Sequence, residues 1–91
     1  MKPRITLSMT KDGTLELHLN ESGRDKLVDL IQSLTEENDH FHLAPEEHGM
    51  ECDISEIPYH RTDQVISFGK VLLRPDSWDR EHFPHVMRMS D

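Results

Sequence analysis

Positive charge is scarce in this chain: 10 Lys and Arg stand against 18 Asp and Glu, for a formal charge of −8 at pH 7. Nucleic-acid binding needs clustered Lys and Arg to neutralise phosphates, so direct contact with DNA or RNA is not expected. Cysteine occurs once, at Cys52, which excludes an intrachain disulfide and a multi-cysteine zinc site. Its alternation with Met50 and Ile54, and the acids Glu51 and Asp53 beside it, point to a buried structural thiol rather than a nucleophile. The glycines, Gly13, Gly23, Gly49 and Gly69, are all isolated, so no glycine-rich phosphate loop exists. The aromatics Phe41, Tyr59, Phe68, Trp78 and Phe83 are too few for a base-stacking platform. No apolar run approaches the ~20 residues of a membrane span, and the opening MKPRITLSMTKDG lacks a signal-peptide core. A soluble cytoplasmic protein without membrane contact is the expectation.

With 91 residues, of which 34% are hydrophobic, the chain fits one small domain. A domain this size has a stability on the order of 5–10 kcal/mol, which leaves little room for a buried catalytic apparatus. No enzyme activity, cofactor or metal is expected.

The charge is uneven. From Leu27 to His60 there is no Lys or Arg, while Asp29, Glu36, Glu37, Asp39, Glu46, Glu47, Glu51, Asp53 and Glu56 all fall there. The rest of the chain is nearly neutral. A solvated face kept for solubility is the bland explanation; a surface that steers a basic partner is the functional one. The complete absence of an intervening base favours the second.

Ile5, Leu7 and Met9 alternate with Thr6 and Ser8, and Leu15, Leu17 and Leu19 with Glu16 and His18. Both runs have the period of two of half-buried strands, and Asp12-Gly13 between them predicts a tight hairpin with one wet face. The period then lengthens: Leu27, Leu30, Ile31 and Leu34 form the stripe of an amphipathic helix, capped by Asn20 or Ser22 and ending near residues 35–38. Glu36, Glu37 and Asp39 would then crowd the negative helix end, an unfavourable placement that hints at another use. Short strands are expected at 40–43 and 50–54, and a longer one over Gln64–Arg74 with a bend or bulge at Gly69. Asp76 opens a helical turn that Pro84 closes. The fold class is α+β: an N-terminal β-hairpin, one amphipathic helix, then two to three further strands in a mostly antiparallel sheet (ββαβββ-like), with the helix on one face. Residues 1–75 form the domain, and 76–91 a C-terminal extension of short helical turn or tail.

The hairpin running into LNESGRDKLVDLIQSL, then DHFHLAPEEHG, then QVISFGKVLLRP, together resemble small immunity proteins of bacterial polymorphic toxin systems, the group known as immunity protein family thirty-two. The similarity covers residues 5–75, and its most specific piece is Leu27–Leu43. It implies a non-enzymatic antitoxin that blocks a cognate protein toxin inside the producing cell. Many such toxins attack nucleic acid and carry basic sites, which an acidic surface can occupy as a phosphate mimic. The family supplies no binding residues position by position. The charge map nominates Glu36, Glu37, Asp39, Glu46, Glu47, Glu51 and Asp53, with Phe41 as an anchor.

Two other readings remain open. Seven histidines, with His40 and His42 on one strand face and His48 nearby, suggest a small metal-binding protein, although no recognised ligand spacing occurs. The strand Gln64–Arg74 could instead pair edge to edge in a homodimeric regulatory module.

Overall fold

The first strand, β1 (Ile5–Met9), and the second, β2 (Leu15–Leu19), pair antiparallel with Leu7 opposite Leu17. They form the predicted hairpin, described here with the rest of residues 1–89 in a computed structural model. The turn differs in detail from expectation. Only Gly13 has positive φ (+89°), its N–H donates to the Thr10 carbonyl, and the Thr10 N–H donates to Thr14. That is a three-residue loop with glycine at the left-handed position, rather than a two-residue turn with both centres at positive φ.

Helix α1 (Glu21–Gln32) starts at Asn20, whose side-chain oxygen accepts from Gly23 N at 2.7 Å and from Arg4 N at 2.9 Å. The Asn20 amide also donates to the Lys2 carbonyl, so one side chain both caps the helix and ties the N-terminal segment to it. A Cβ built on Gly23 would lie 2.5 Å from the Arg4 carbonyl oxygen. This glycine, costly to a helix in isolation, is what lets the helix lie against β1. The helix ends at Gln32, earlier than expected, with Ser33 Oγ donating to Leu30 O. Residues 35–38 form a separate turn in which Thr35 Oγ1 accepts from Asn38 N. Glu36 and Glu37 therefore stand outside the helix.

The remaining strands are β3 (His40–Ala44), β4 (Cys52–Asp53), β5 (Gln64–Val65) and β6 (Gly69–Leu72). They divide between two three-stranded sheets, ordered β2-β1-β5 and β4-β3-β6. All pairs are antiparallel except β3 with β4. The apolar run Gln64–Arg74 is thus split: Val65 pairs with Ser8 of one sheet and Gly69 with Leu43 of the other. Ile66–Phe68 cross between the sheets, and the bend expected at Gly69 is the point of entry into the second. The chain after β4 stitches the sheets again, Ile54 N donating to Ala44 O and Ser55 N to Ile5 O.

Ile5, Leu27, Phe41, Leu43, Cys52 and Ile54 form the core, edged by Leu7, Leu30, Leu34 and Val71. Two sequence expectations are corrected here. Phe41 is only 3% exposed; the alternation of β3 turns it inward with Leu43, so it cannot act as a surface anchor for a partner. In the hairpin, Thr6 and Ser8 are buried whereas Leu15, Leu17 and Leu19 are exposed. The segment 55–63 reaches the polar face, where Tyr59 stacks on His18 at 3.9 Å, while β2 is an edge strand whose leucines stay exposed. Helix α2 (Asp76–His82) and a 3₁₀ turn (Pro84–Met89) make up the C-terminal extension; Ser90 and Asp91, the end of the expected tail, lie outside the described residues. Among the described residues no helix is long and apolar enough to cross a membrane.

Candidate partner-binding surface

The acidic positions follow β3 from one end to the other. Asp39 precedes it, Glu51 lies beside its middle, and Glu46 and Glu47 sit in the 3₁₀ turn Glu46–His48 just beyond it. Except for half-buried Asp39, all nominated carboxylates are exposed. They differ in what they already hold.

Asp39 accepts from the His40 ring (2.7 Å) and from Arg74 Nη1 (3.1 Å). The His40 hydrogen bond, and then the Arg74 charge, hold its carboxyl below the usual range. Glu51 accepts from His42 N at 2.7 Å and sits 3.0 Å from the His42 ring, contacts that likewise lower its pKa. Glu46 pairs with Lys2 at 2.8 Å, which lowers the acid and raises the lysine. By contrast, Glu36, Glu37, Glu47 and Asp53 have no ion-pair partner among the described residues. The charge map along the chain missed this division. Lys2 and Arg74 lie outside the base-free stretch but fold back onto it. Lys2 shares a cleft with Glu46 and Asp53.

A second cleft, about 330 Å³, contains Glu36, Asp39, Arg74, Trp78 and Glu81. The Arg74 guanidinium lies 4.5 Å from the centre of the Trp78 ring, and Trp78 is half-buried. Sequence reasoning set the extension aside and so missed this group. The signal was present in the single tryptophan, a residue type enriched at binding hot spots, four positions after Arg74.

The histidines do not converge as a ligand set. His40 and His42 share a strand face with ring centres 5.1 Å apart, but His48 packs edge-on against Phe68. Among the described residues the group with ligand spacing is Glu16, His60 and Asp63, whose donor atoms lie within 4.8 Å of one another. These residues line a cleft of about 590 Å³ beside the hairpin turn. A divalent cation could be held by such a set. The Asp63 side chain is 2% exposed, however, and its oxygen is already engaged by both His60 N and His60 Nδ1 at 3.2 Å. The pair closes the turn 60–63 on itself. Cys52 is fully buried, and burial raises its thiol pKa, so it has neither the access nor the thiolate character of a nucleophile.

Comparison of the chain with protein-family models, with curated proteins and with solved structures finds no match in any of the three.

Proposed function

We propose that this chain is a cytoplasmic immunity protein, an antitoxin with no catalytic activity or cofactor of its own, that binds and blocks a cognate toxin domain. The observation that carries the reading is the base-free acidic stretch from Leu27 to His60, on which Glu36, Glu37, Glu47 and Asp53 stand exposed with no ion-pair partner among the described residues. The resemblance of Leu27–Leu43 to the immunity family points the same way. A toxin that degrades nucleic acid has a cationic phosphate site; free carboxylates compete for those cations and accelerate encounter by steering. Affinity needs an aromatic or arginine anchor as well as charge. Trp78, beside Glu36 and Asp39, takes the anchoring role that burial denies to Phe41. Asp39, Glu46 and Glu51 contribute less to attraction because His40 with Arg74, Lys2 and His42 already compensate them.

The reading expects an adjacent toxin gene, and the test is stopped-flow association with the domain it encodes. The native on-rate should fall steeply with added salt. Glu36→Lys/Glu37→Lys/Glu47→Lys should lower it by about tenfold or more and flatten the salt slope, whereas Trp78→Ala should mainly raise the off-rate. An on-rate and salt slope unchanged in the triple variant would overturn the acidic-surface reading.

A further inference from the structure

Strand β2 lies at the edge of its sheet, and its leucines are the most exposed apolar strand residues of the hairpin: Leu15 58%, Leu17 47% and Leu19 39%. An edge strand of this kind is an open template for another strand. We propose that β2 pairs antiparallel with β2 of a second copy, about a two-fold axis at Leu17, joining two three-stranded sheets into one of six strands.

The backbone sets the register. The hairpin ladder is bracketed by Asn20 N donating to Arg4 O and Thr10 N donating to Thr14 O. Hydrogen-bonded pairs alternate along an antiparallel ladder, so Glu16 and His18 direct their backbone groups to β1. Leu15, Leu17 and Leu19 direct theirs to the free edge. Two copies can therefore bond only through their odd-numbered residues. Of the registers this allows, the one centred on Leu17 overlaps the whole of LELHL. It sets Leu17 against Leu17, Leu15 against Leu19, and Glu16 against His18 of the second copy.

That last pairing supplies polar complementarity, a carboxylate acceptor facing an imidazole that can donate. Centring the pair on Glu16 or His18 instead would oppose like with like. Within one copy, Glu16 Oε1 and His18 Nδ1 are buried and lack a hydrogen-bond partner among the described residues, and the two side chains approach only to 3.7 Å. In the Leu17-centred register each residue gains its opposite as a cross-strand neighbour, at the closer, non-hydrogen-bonded type of position. The leucines of both copies form one apolar strip on the other face. The interface is isologous and closes at two subunits. It leaves β3, the acidic turn and the Trp78 cleft free, so it stands or falls independently of toxin binding.

Sedimentation equilibrium on the full chain should give twice the 10.7 kDa chain mass at micromolar concentration. Leu17→Lys, which places two like charges on the axis at an already exposed site, should give a monomer with an unchanged circular dichroism spectrum. The register is tested by oxidation of single-cysteine additions, the buried Cys52 serving as the internal control. Leu17→Cys should cross-link to a covalent dimer, because facing Cα atoms lie about 5.5 Å apart, within disulfide reach. Leu15→Cys should not, being displaced from its own copy by about 14 Å along the strand. A native chain that stays monomeric, assembly that continues past two copies, a dimer that survives Leu17→Lys, or equal cross-linking at both positions would each overturn the proposal.

Discussion

Asp39 shows how much a single carboxylate can be asked to hold. It receives the His40 ring and the Arg74 guanidinium, and the Asp39 carbonyl accepts from Leu73 N at 2.7 Å, so it ties the start of β3 to the end of β6. Its depressed pKa fixes the sign of its effect. Stability from the ionised carboxyl is present above the ordinary value of 3.8 and is lost as pH falls through the lower folded value. Asp39→Asn should therefore destabilise the protein near neutral pH, and the gap from the native chain should close below about pH 3.8 in urea titrations taken at a series of pH values. Phe41 provides the complementary case, a residue chosen for its chemistry and placed elsewhere by alternation. Phe41→Ala should cost about 3–5 kcal/mol. The milder Phe41→Leu, while still folded, should bind the partner at the native rate. A binding defect in Phe41→Leu without a stability loss would return the residue to the interface.

At the scale of elements, legibility followed distance along the chain. The hairpin and helix α1 were readable because alternation, the Asp12-Gly13 turn, the Asn20 cap and the leucine stripe are all decided within a few residues. The run QVISFGKVLLR was not, since two sheets claim it. Its period and composition are the same whether it lies in one strand or crosses from β1 to β3, and only the positions of Ser8 and Leu43 choose. That β1 is buried on both faces while β2 stays an exposed edge was equally hidden: it depends on the core closing over Ile5 and on Tyr59 and its neighbours reaching the side of Thr6, Ser8 and His18. Gly23 is a related instance, reading locally as a weakness but required by the approach of Arg4. Gly23→Ala should thus lower stability by roughly 1–3 kcal/mol rather than raise it by the ~1 kcal/mol that helix propensity alone allows. Urea unfolding measures the sign directly. A stabilised variant would show that the N-terminal segment yields freely to the added methyl.

Across the whole molecule the excess of acid is its most general property, and histidine is its counterweight. Adding seven positive charges to −8 leaves −1 when every histidine is protonated. Histidine is the side chain that gains charge as pH falls between about 8 and 5, so long-range attraction for a basic partner should weaken across that window. Association rates at low salt, measured across that window against a partner whose own charge is constant there, should fall toward the acid end. A flat profile would contradict steering by net charge. The candidate site was legible as a charge pattern but not as a surface. Among the described residues Glu36, Glu37, Glu47 and Asp53 have no ion-pair partner, while Lys2 and Arg74 return from distant parts of the chain to occupy Glu46 and Asp39.

The amino-acid sequence by itself determined the sign and the location of the charge, the hairpin, the capped helix and the inward place of Cys52. Each of these depends on composition or on neighbours a few residues apart. Tertiary structure alone decided that one apolar run serves two sheets, that Phe41 is core, that Trp78 shares a cleft with the acids, and that the leucines of β2 face outward on an open edge. Those outcomes depend on which distant segment reaches a given face first, and alternation or helical periodicity carries no information about that contest.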